Sequence, residues 1–237
     1  MKESSTDLGY LAQPTDAASP GVVLIHDVWG LSDHARDLAR RLASEGFAVL
    51  AIDLYRRESE VKIENPGAWM RALSDPKALA DLQAGIDFLR SGPAAGRKVG
   101  VIGFCMGGMY ALMAACACRG LSASVPFYGL LSHGHGILFD EAGLDPALKP
   151  KEPLDYAPDL SCPLLAFFGD RDEFVPLDDV KALEVRLAAA TPPAEVVVYP
   201  DVGHAFLNDT RPDAFRPEEA AEAWGRTVRF LRDELAG

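Results

Sequence analysis

Val99-Gly100-Val101-Ile102-Gly103-Phe104-Cys105-Met106-Gly107-Gly108 is a short β-branched run that ends in a cysteine flanked by glycines, and the apolar segment Met109–Cys118 follows it directly. A strand that passes into a helix through Gly-x-Cys-x-Gly places the central residue in a strained turn. Small residues are needed two positions to either side, because larger ones would strike the neighbouring strand and helix. This geometry holds the thiol at the carboxyl edge of a sheet, where α/β proteins bind their ligands. The first N–H groups of the helix lie beside the sulfur and favour thiolate over thiol. A buried core cysteine beside a glycine-rich turn is the competing reading, and the full strand-turn-helix context weighs against it.

Outward from this turn, short Val/Ile/Phe-rich runs alternate with segments of helical periodicity. The expected strands are Gly21–Ile25, Ala48–Ile52, Val99–Gly103, Ala123–Phe127, Leu164–Phe168 and Glu195–Tyr199. Continuous apolar strands separated by amphipathic helices point to a mostly parallel sheet buried on both faces. One helix face is marked by Ala35, Leu38, Ala39 and Leu42, a second by Leu79, Leu82, Ile86 and Leu89, and a third by Ala220, Trp224, Thr227 and Leu231. Helix punctuation agrees: Ser32 can cap the first helix and Gly46 can end it. Gly92-Pro93 follows the second, and Pro217-Glu218-Glu219 opens the last with acidic residues at its positive end. A single domain over residues 1–237 is expected, with the Pro/Gly-rich stretch from about Ser132 to Pro163 forming a lid or pocket wall.

Composition narrows the function. With 49% hydrophobic and 24% charged residues the chain can build a large core. Its formal net charge of −12, with no basic block, disfavours nucleic acid and anionic membrane surfaces but leaves open a small anionic substrate met by a few local cations. The first residues lack a secretory apolar stretch and no membrane-length apolar span occurs, so a cytoplasmic location is expected. The four cysteines have no framework spacing and are expected to stay reduced.

Two further loops follow strand ends. Gly169-Asp170-Arg171-Asp172-Glu173-Phe174-Val175-Pro176 comes after Leu164–Phe168, and Asp201-Val202-Gly203-His204-Ala205-Phe206 after Glu195–Tyr199. The order nucleophile, acid, histidine is that of α/β-hydrolases, and three separate strands deliver the three residues to one edge. His204 can shuttle a proton at neutral pH, and Asp172 can fix its tautomer, with Asp170 a lower-ranked competitor. Taken singly, His204 could be a loop histidine satisfied by backbone, and Asp172 a turn or capping aspartate.

These motifs, together with Val23-Leu24-Ile25-His26-Asp27-Val28-Trp29-Gly30-Leu31 and Ala51-Ile52-Asp53-Leu54-Tyr55, resemble the dienelactone hydrolase family of α/β-hydrolases from about Gly21 to Leu231. The resemblance implies hydrolysis of a small-molecule ester or lactone through an acyl-cysteine, with no metal and no organic cofactor. It implies the backbone N–H groups of Val28 and Met106 as the oxyanion hole. Asp27 stands where the family usually has a nucleophile-activating glutamate, and is one methylene shorter. Asn208 stands where lactone-cleaving members carry a substrate-binding arginine, and Lys62 falls near the second; neither reproduces a bidentate guanidinium clamp. Trp29, Tyr55, Trp69 and Tyr128, with Phe206 of the histidine motif, are candidate pocket residues, although aromatics are more often core.

Three other readings remain. Cys116, Cys118, His133 and His135 could form a metal or redox site, but helical residues two apart point about 200° from one another. The chain could be a non-catalytic binding member of the fold, against which the three intact residue types speak. Or the same triad could act on thioesters or generic short carboxylesters.

Overall fold

The computed structural model describes residues 1–15 and 17–236. Its eight-stranded sheet has the order β1-β2-β4-β3-β5-β6-β7-β8, built from β1 (Lys2–Thr6), β2 (Gly9–Gln13), β3 (Gly21–Ile25), β4 (Ala48–Ile52), β5 (Val99–Phe104), β6 (Leu121–Phe127), β7 (Leu164–Gly169) and β8 (Ala194–Tyr199). From β4 to β8 all neighbours run parallel, whereas β1 pairs with β2, and β2 with β4, in antiparallel fashion. Every expected strand is present, with ends shifted by a residue or two: β6 and β8 begin earlier than expected, and β5 and β7 run one residue further. The hairpin β1–β2 was not expected, because the polar Lys-Glu-Ser-Ser-Thr of β1 carries no alternation of apolar residues.

Helices cover both faces. On one side lie α1 (Asp33–Ser44) and α7 (Pro217–Leu235), whose Leu38, Leu42, Ala223 and Leu231 pack with Val22, Leu24, Val49 and Phe127. On the other, α3 (Asp75–Ser91) and α4 (Met106–Ala117) pack Leu82, Ile86, Met109 and Met113 against Val23, Ile25, Leu50 and Val101. Alternate side chains of each central strand therefore feed two cores, which is why β3, β4 and β5 are buried at every position. The expected caps are in place: Ser32 accepts the Ala35 N–H at 3.3 Å, Gly46 follows α1 at φ +102°, Gly92 closes α3, and Pro217 opens α7. Two longer helices went unanticipated, α2 (Pro66–Ala72) and α6 (Leu177–Leu187), as did the four-residue helix Pro153–Tyr156. None of the described helices is long and apolar enough to cross a membrane.

The stretch between β6 and β7 forms a strap containing a short helix, α5 (Pro153–Tyr156). It is fastened at several points. Arg71 of α2 donates to the Ile137 carbonyl at 2.9 Å and pairs with Asp140, and His135 pairs with Asp179 at 2.7 Å. Deepest is a fully buried ion pair, Lys149 Nζ to Asp75 Oδ1 at 2.5 Å, to which the Tyr110 hydroxyl of α4 also donates at 2.6 Å. This cluster joins the strap, the first turn of α3 and the helix that follows Cys105. Removing one partner of a buried pair leaves an uncompensated charge. Asp75→Ala should accordingly destabilise the protein by about 3–5 kcal/mol, read as a fall in the urea midpoint, and an unchanged midpoint would show that the pair contributes little.

Candidate active site

Cys105 sits between β5 and α4 at φ 55° and ψ −116°, a left-handed conformation that a residue with a Cβ adopts only under constraint. Two contacts impose it. Its N–H donates to the Phe127 carbonyl at 3.0 Å, tying the turn to β6, and the flanking glycines let backbone meet backbone. A Cβ on Gly103 would lie 1.9 Å from the Gly107 carbonyl oxygen, and one on Gly107 would lie 2.3 Å from that of Ile25. The second approach draws the loop after β3 onto the start of α4, so that Val28 and Cys105 line the same cleft.

The loops after β7 and β8 are stitched together by Asp170 N–H to Tyr199 O at 3.0 Å and Arg171 N–H to Val202 O at 2.9 Å. That stitching brings Asp172 to His204. Asp172 Oδ2 lies 2.7 Å from His204 Nδ1, while Oδ1 accepts the N–H groups of Phe174 and Val175 at 2.8 and 3.1 Å. Asp170 instead accepts the Asp201 N–H at 2.7 Å, so the choice between the two aspartates falls on Asp172. The Cys105 sulfur lies near enough to the imidazole to act on its charge, and both residues line one cleft. His204 is wedged between Tyr128 and Phe174, each with its ring centroid 5.0 Å away. Burial alone would lower the histidine pKa; the Cys105 sulfur and the Asp172 carboxylate outweigh it and push the pKa up to about 10.

Among the described residues the N–H groups of Val28 and Met106 have no protein acceptor. The Val28 carbonyl accepts the Tyr55 hydroxyl at 2.9 Å, and Asp27 Oδ1 accepts the Trp29 N–H at 2.9 Å. Asp27 lines the cleft, and burial raises its carboxyl pKa, but among the described residues no hydrogen bond joins it to Cys105. Its shorter side chain is engaged in the loop's own turn.

The cleft, about 100 Å³, is lined by Asp27, Val28, Trp29, Cys105, Tyr128, His204 and Asn208 among the expected residues. Four expected pocket residues lie elsewhere. Tyr55 is core, tethering Val28 and contacting the Met106 sulfur. Trp69 packs edge-on against Tyr55 and borders a separate cavity of about 270 Å³ that holds none of the three triad candidates. Phe206 is fully buried beneath Tyr128. Lys62 is 72% exposed and pairs with Glu64, because nothing in an exposed loop draws its ammonium inward. Conversely, Ile137 of the strap, Leu130, Phe174, His34 and Arg211 line the cleft without having been expected. Arg211 reaches the cleft through a turn in which Asn208 Oδ1 accepts the Thr210 N–H at 3.0 Å and the Arg211 N–H donates to Asn208 O at 3.1 Å, and its guanidinium also pairs with Asp213 at 3.3 Å. Among the described residues no three His, Cys, Asp or Glu side chains gather as a metal-binding group, and Cys116, Cys118, His133 and His135 form no such site.

A model of the dienelactone hydrolase family matches residues 8–235. A Salmonella typhimurium protein named "Putative carboxymethylenebutenolidase" is 32% identical over 229 residues, covering 94% of this chain and 81% of that one. A Bradyrhizobium protein named "Probable 2-oxo-3-(5-oxofuran-2-ylidene)propanoate lactonase" is 33% identical over 235 residues, covering 97% and 90%. Among solved structures, a Klebsiella pneumoniae chain described as a "Putative Dienelactone Hydrolase" superposes with a TM-score of 0.84 at 31% identity and 97% coverage of both chains. On this sequence match, this fold and this topology, the chain is a hydrolase that belongs to the dienelactone hydrolase family of α/β-hydrolases.

Proposed function

We propose that the protein hydrolyses a small ester or lactone through an acyl-cysteine formed on Cys105. The observation that carries this reading is the Asp172–His204 pair beside Cys105 in one cleft, with the N–H groups of Val28 and Met106 unpartnered among the described residues. The sulfur and the Asp172 carboxylate raise the imidazole's pKa, and an imidazole so placed can accept the thiol's proton as the sulfur attacks.

In acylation the Cys105 thiolate attacks the carbonyl carbon and an S–C bond forms. The oxyanion is met by the Val28 and Met106 N–H groups. The C–O bond to the leaving oxygen then breaks, and that oxygen takes the proton from His204. In deacylation His204 removes a proton from water, the hydroxide oxygen attacks the acyl carbonyl, and the S–C bond breaks. A carboxylic acid is released and the thiolate–imidazolium pair returns. Asp172 stabilises the imidazolium throughout without changing its own protonation. A thiolate leaves more readily than an alkoxide, so the first step demands a good leaving oxygen. Activated esters and lactones with an enolate leaving group meet that demand, and amides do not.

The relatives' names, carboxymethylenebutenolidase and lactonase, supply the chemical class, and the small cleft suits a compact ring or a short acyl group. Arg211 and His34 line the cleft together with the apolar Val28, Leu130, Ile137 and Phe174 and with the Asp27 carboxylate. The half-exposed guanidinium is placed to meet an anionic group of the substrate, the task that neither Asn208 nor Lys62 performs.

Three outcomes test this reading. Cys105→Ala should lower kcat on p-nitrophenyl acetate and on a dienelactone by at least about a thousand-fold with the fold intact; residual turnover near wild type removes the cysteine mechanism. Histidine Cε1–H titration by NMR should place His204 far above its ordinary 6.5, and Cys105→Ala, which deletes the sulfur's charge, should move it down. Arg211→Gln should raise KM for a carboxylate-bearing lactone roughly tenfold, the scale of one charged hydrogen bond, and leave that for p-nitrophenyl acetate unaltered. Equal effects on both substrates would deny it the role.

A further inference from the structure

His26, directly after β3, is 1% exposed, and the reaction just described does not use it. Both of its ring nitrogens are engaged. Nδ1 lies 2.6 Å from the Asp27 carbonyl oxygen, which can only accept, so Nδ1 carries the proton. Nε2 lies 3.1 Å from the Leu54 N–H, which can only donate, so Nε2 offers its lone pair. The ring is therefore a neutral imidazole of one fixed tautomer. Burial lowers its pKa against the pull of Asp27 and of Asp53, whose Oδ1 is 3.9 Å from Nε2, and so keeps it neutral.

The peptide that His26 grips is the one that joins Asp27 to Val28. In a trans peptide the carbonyl and the N–H point in opposite directions. Fixing the Asp27 carbonyl on His26 Nδ1, with the Gly30 N–H added at 3.2 Å, fixes where the Val28 N–H points. That N–H has no acceptor among the described residues, and Val28 lines the cleft beside Cys105. Tyr55 secures the next peptide through the Val28 carbonyl at 2.9 Å. Leu54 and Tyr55 both follow β4, the neighbour of β3, so one strand end braces the loop of the other.

From this geometry we infer that His26 is a positioning residue: as a neutral Nδ1–H tautomer bridging the Asp27 carbonyl and the Leu54 N–H, it aims the Val28 N–H at the oxyanion formed on Cys105. This rests on the cysteine-hydrolase reading above. The imidazole touches neither substrate nor sulfur. Its effect falls on the steps in which negative charge builds on the carbonyl oxygen, and a misplacement of about 1 Å at such a donor costs about a hundred-fold in rate.

The test compares His26→Leu with His26→Asn, two side chains of similar size of which only the second keeps a donor near the Nδ1 position. With p-nitrophenyl acetate, His26→Leu should lower kcat about a hundred-fold at nearly constant KM, and His26→Asn should recover most of it. Alkylation of Cys105 by iodoacetamide develops no oxyanion and should proceed at the wild-type rate in both. The role is overturned if kcat of His26→Leu stays within about threefold of wild type, if alkylation falls in parallel with it, or if asparagine gives no recovery. Should the leucine variant not fold, the wild-type protein still decides: long-range ¹⁵N–¹H correlation must show His26 protonated on Nδ1 and bare on Nε2, and the reverse tautomer ends the proposal. Cys105→Ala in the same assay separates the two levels. Turnover surviving there sinks the cysteine mechanism, whereas loss there beside an unimpaired His26→Leu sinks only the positioning role.

Discussion

The architecture hangs on one backbone conformation, the left-handed φ of Cys105 where β5 passes into α4. An L-residue is held there only if its surroundings allow no alternative, and they are made of main chain: the Phe127 carbonyl on one side and, across Gly103 and Gly107, the first turn of α4 and the end of β3. Because the contacts are backbone to backbone, the turn couples β3, β5, β6 and α4 into one rigid junction. The ends of the parallel strands are thereby set in register, and the loops that leave them meet over the sulfur. Three further non-glycine residues with positive φ, Tyr128, Asp201 and Ala205, lie in those loops, two of them flanking His204 in space or sequence.

The polar groups at this junction form two layers of opposite character. At the cleft, His204 is held by the Asp172 carboxylate, and that carboxylate and the Cys105 sulfur together raise its pKa. One residue behind the cleft wall, His26 is neutral and satisfied by main-chain groups alone. Burial acts on both imidazoles in the same direction, and the difference between them is the company each keeps: charged side chains in one case, peptide dipoles in the other. A second buried charge, Lys149 on Asp75, ties the strap to α3 and, through the Tyr110 hydroxyl, to α4.

The fold and the three loops that carry Cys105, Asp172 and His204 were legible in the sequence because each is over-determined locally. Strands β3 to β8 announce themselves by continuous apolar runs, and a turn flanked by glycines on both sides of one cysteine has few other uses. Asp172 already ranked above Asp170 in the sequence, and the coordinates add what each carboxylate reaches: His204 for the first, the Asp201 N–H for the second. The cleft walls were the least legible part. Tyr55, Trp69 and Phe206 are apolar enough for core or pocket, and only packing assigns them. Lys62 and Arg211 sit in irregular segments whose course no periodicity records, so the expected cation points to solvent and an unexpected one lines the cleft. His26 carried no motif of its own, because its part is played through the main chain of its neighbours.

The four cysteines show how completely environment separates chemically identical groups. Burial pushes the thiols of Cys116 and Cys162 up to about 12 and that of Cys118 up to about 11, which leaves them protonated at neutral pH. Among the four, Cys105 lies beside the His204 imidazole and opens onto a cleft. Peroxides and thiol-seeking electrophiles react with thiolate and not with thiol. Under the proposed mechanism the array that activates the nucleophile also directs oxidative damage to one sulfur in four, so the chain would lose its chemistry to oxidation long before it loses its core.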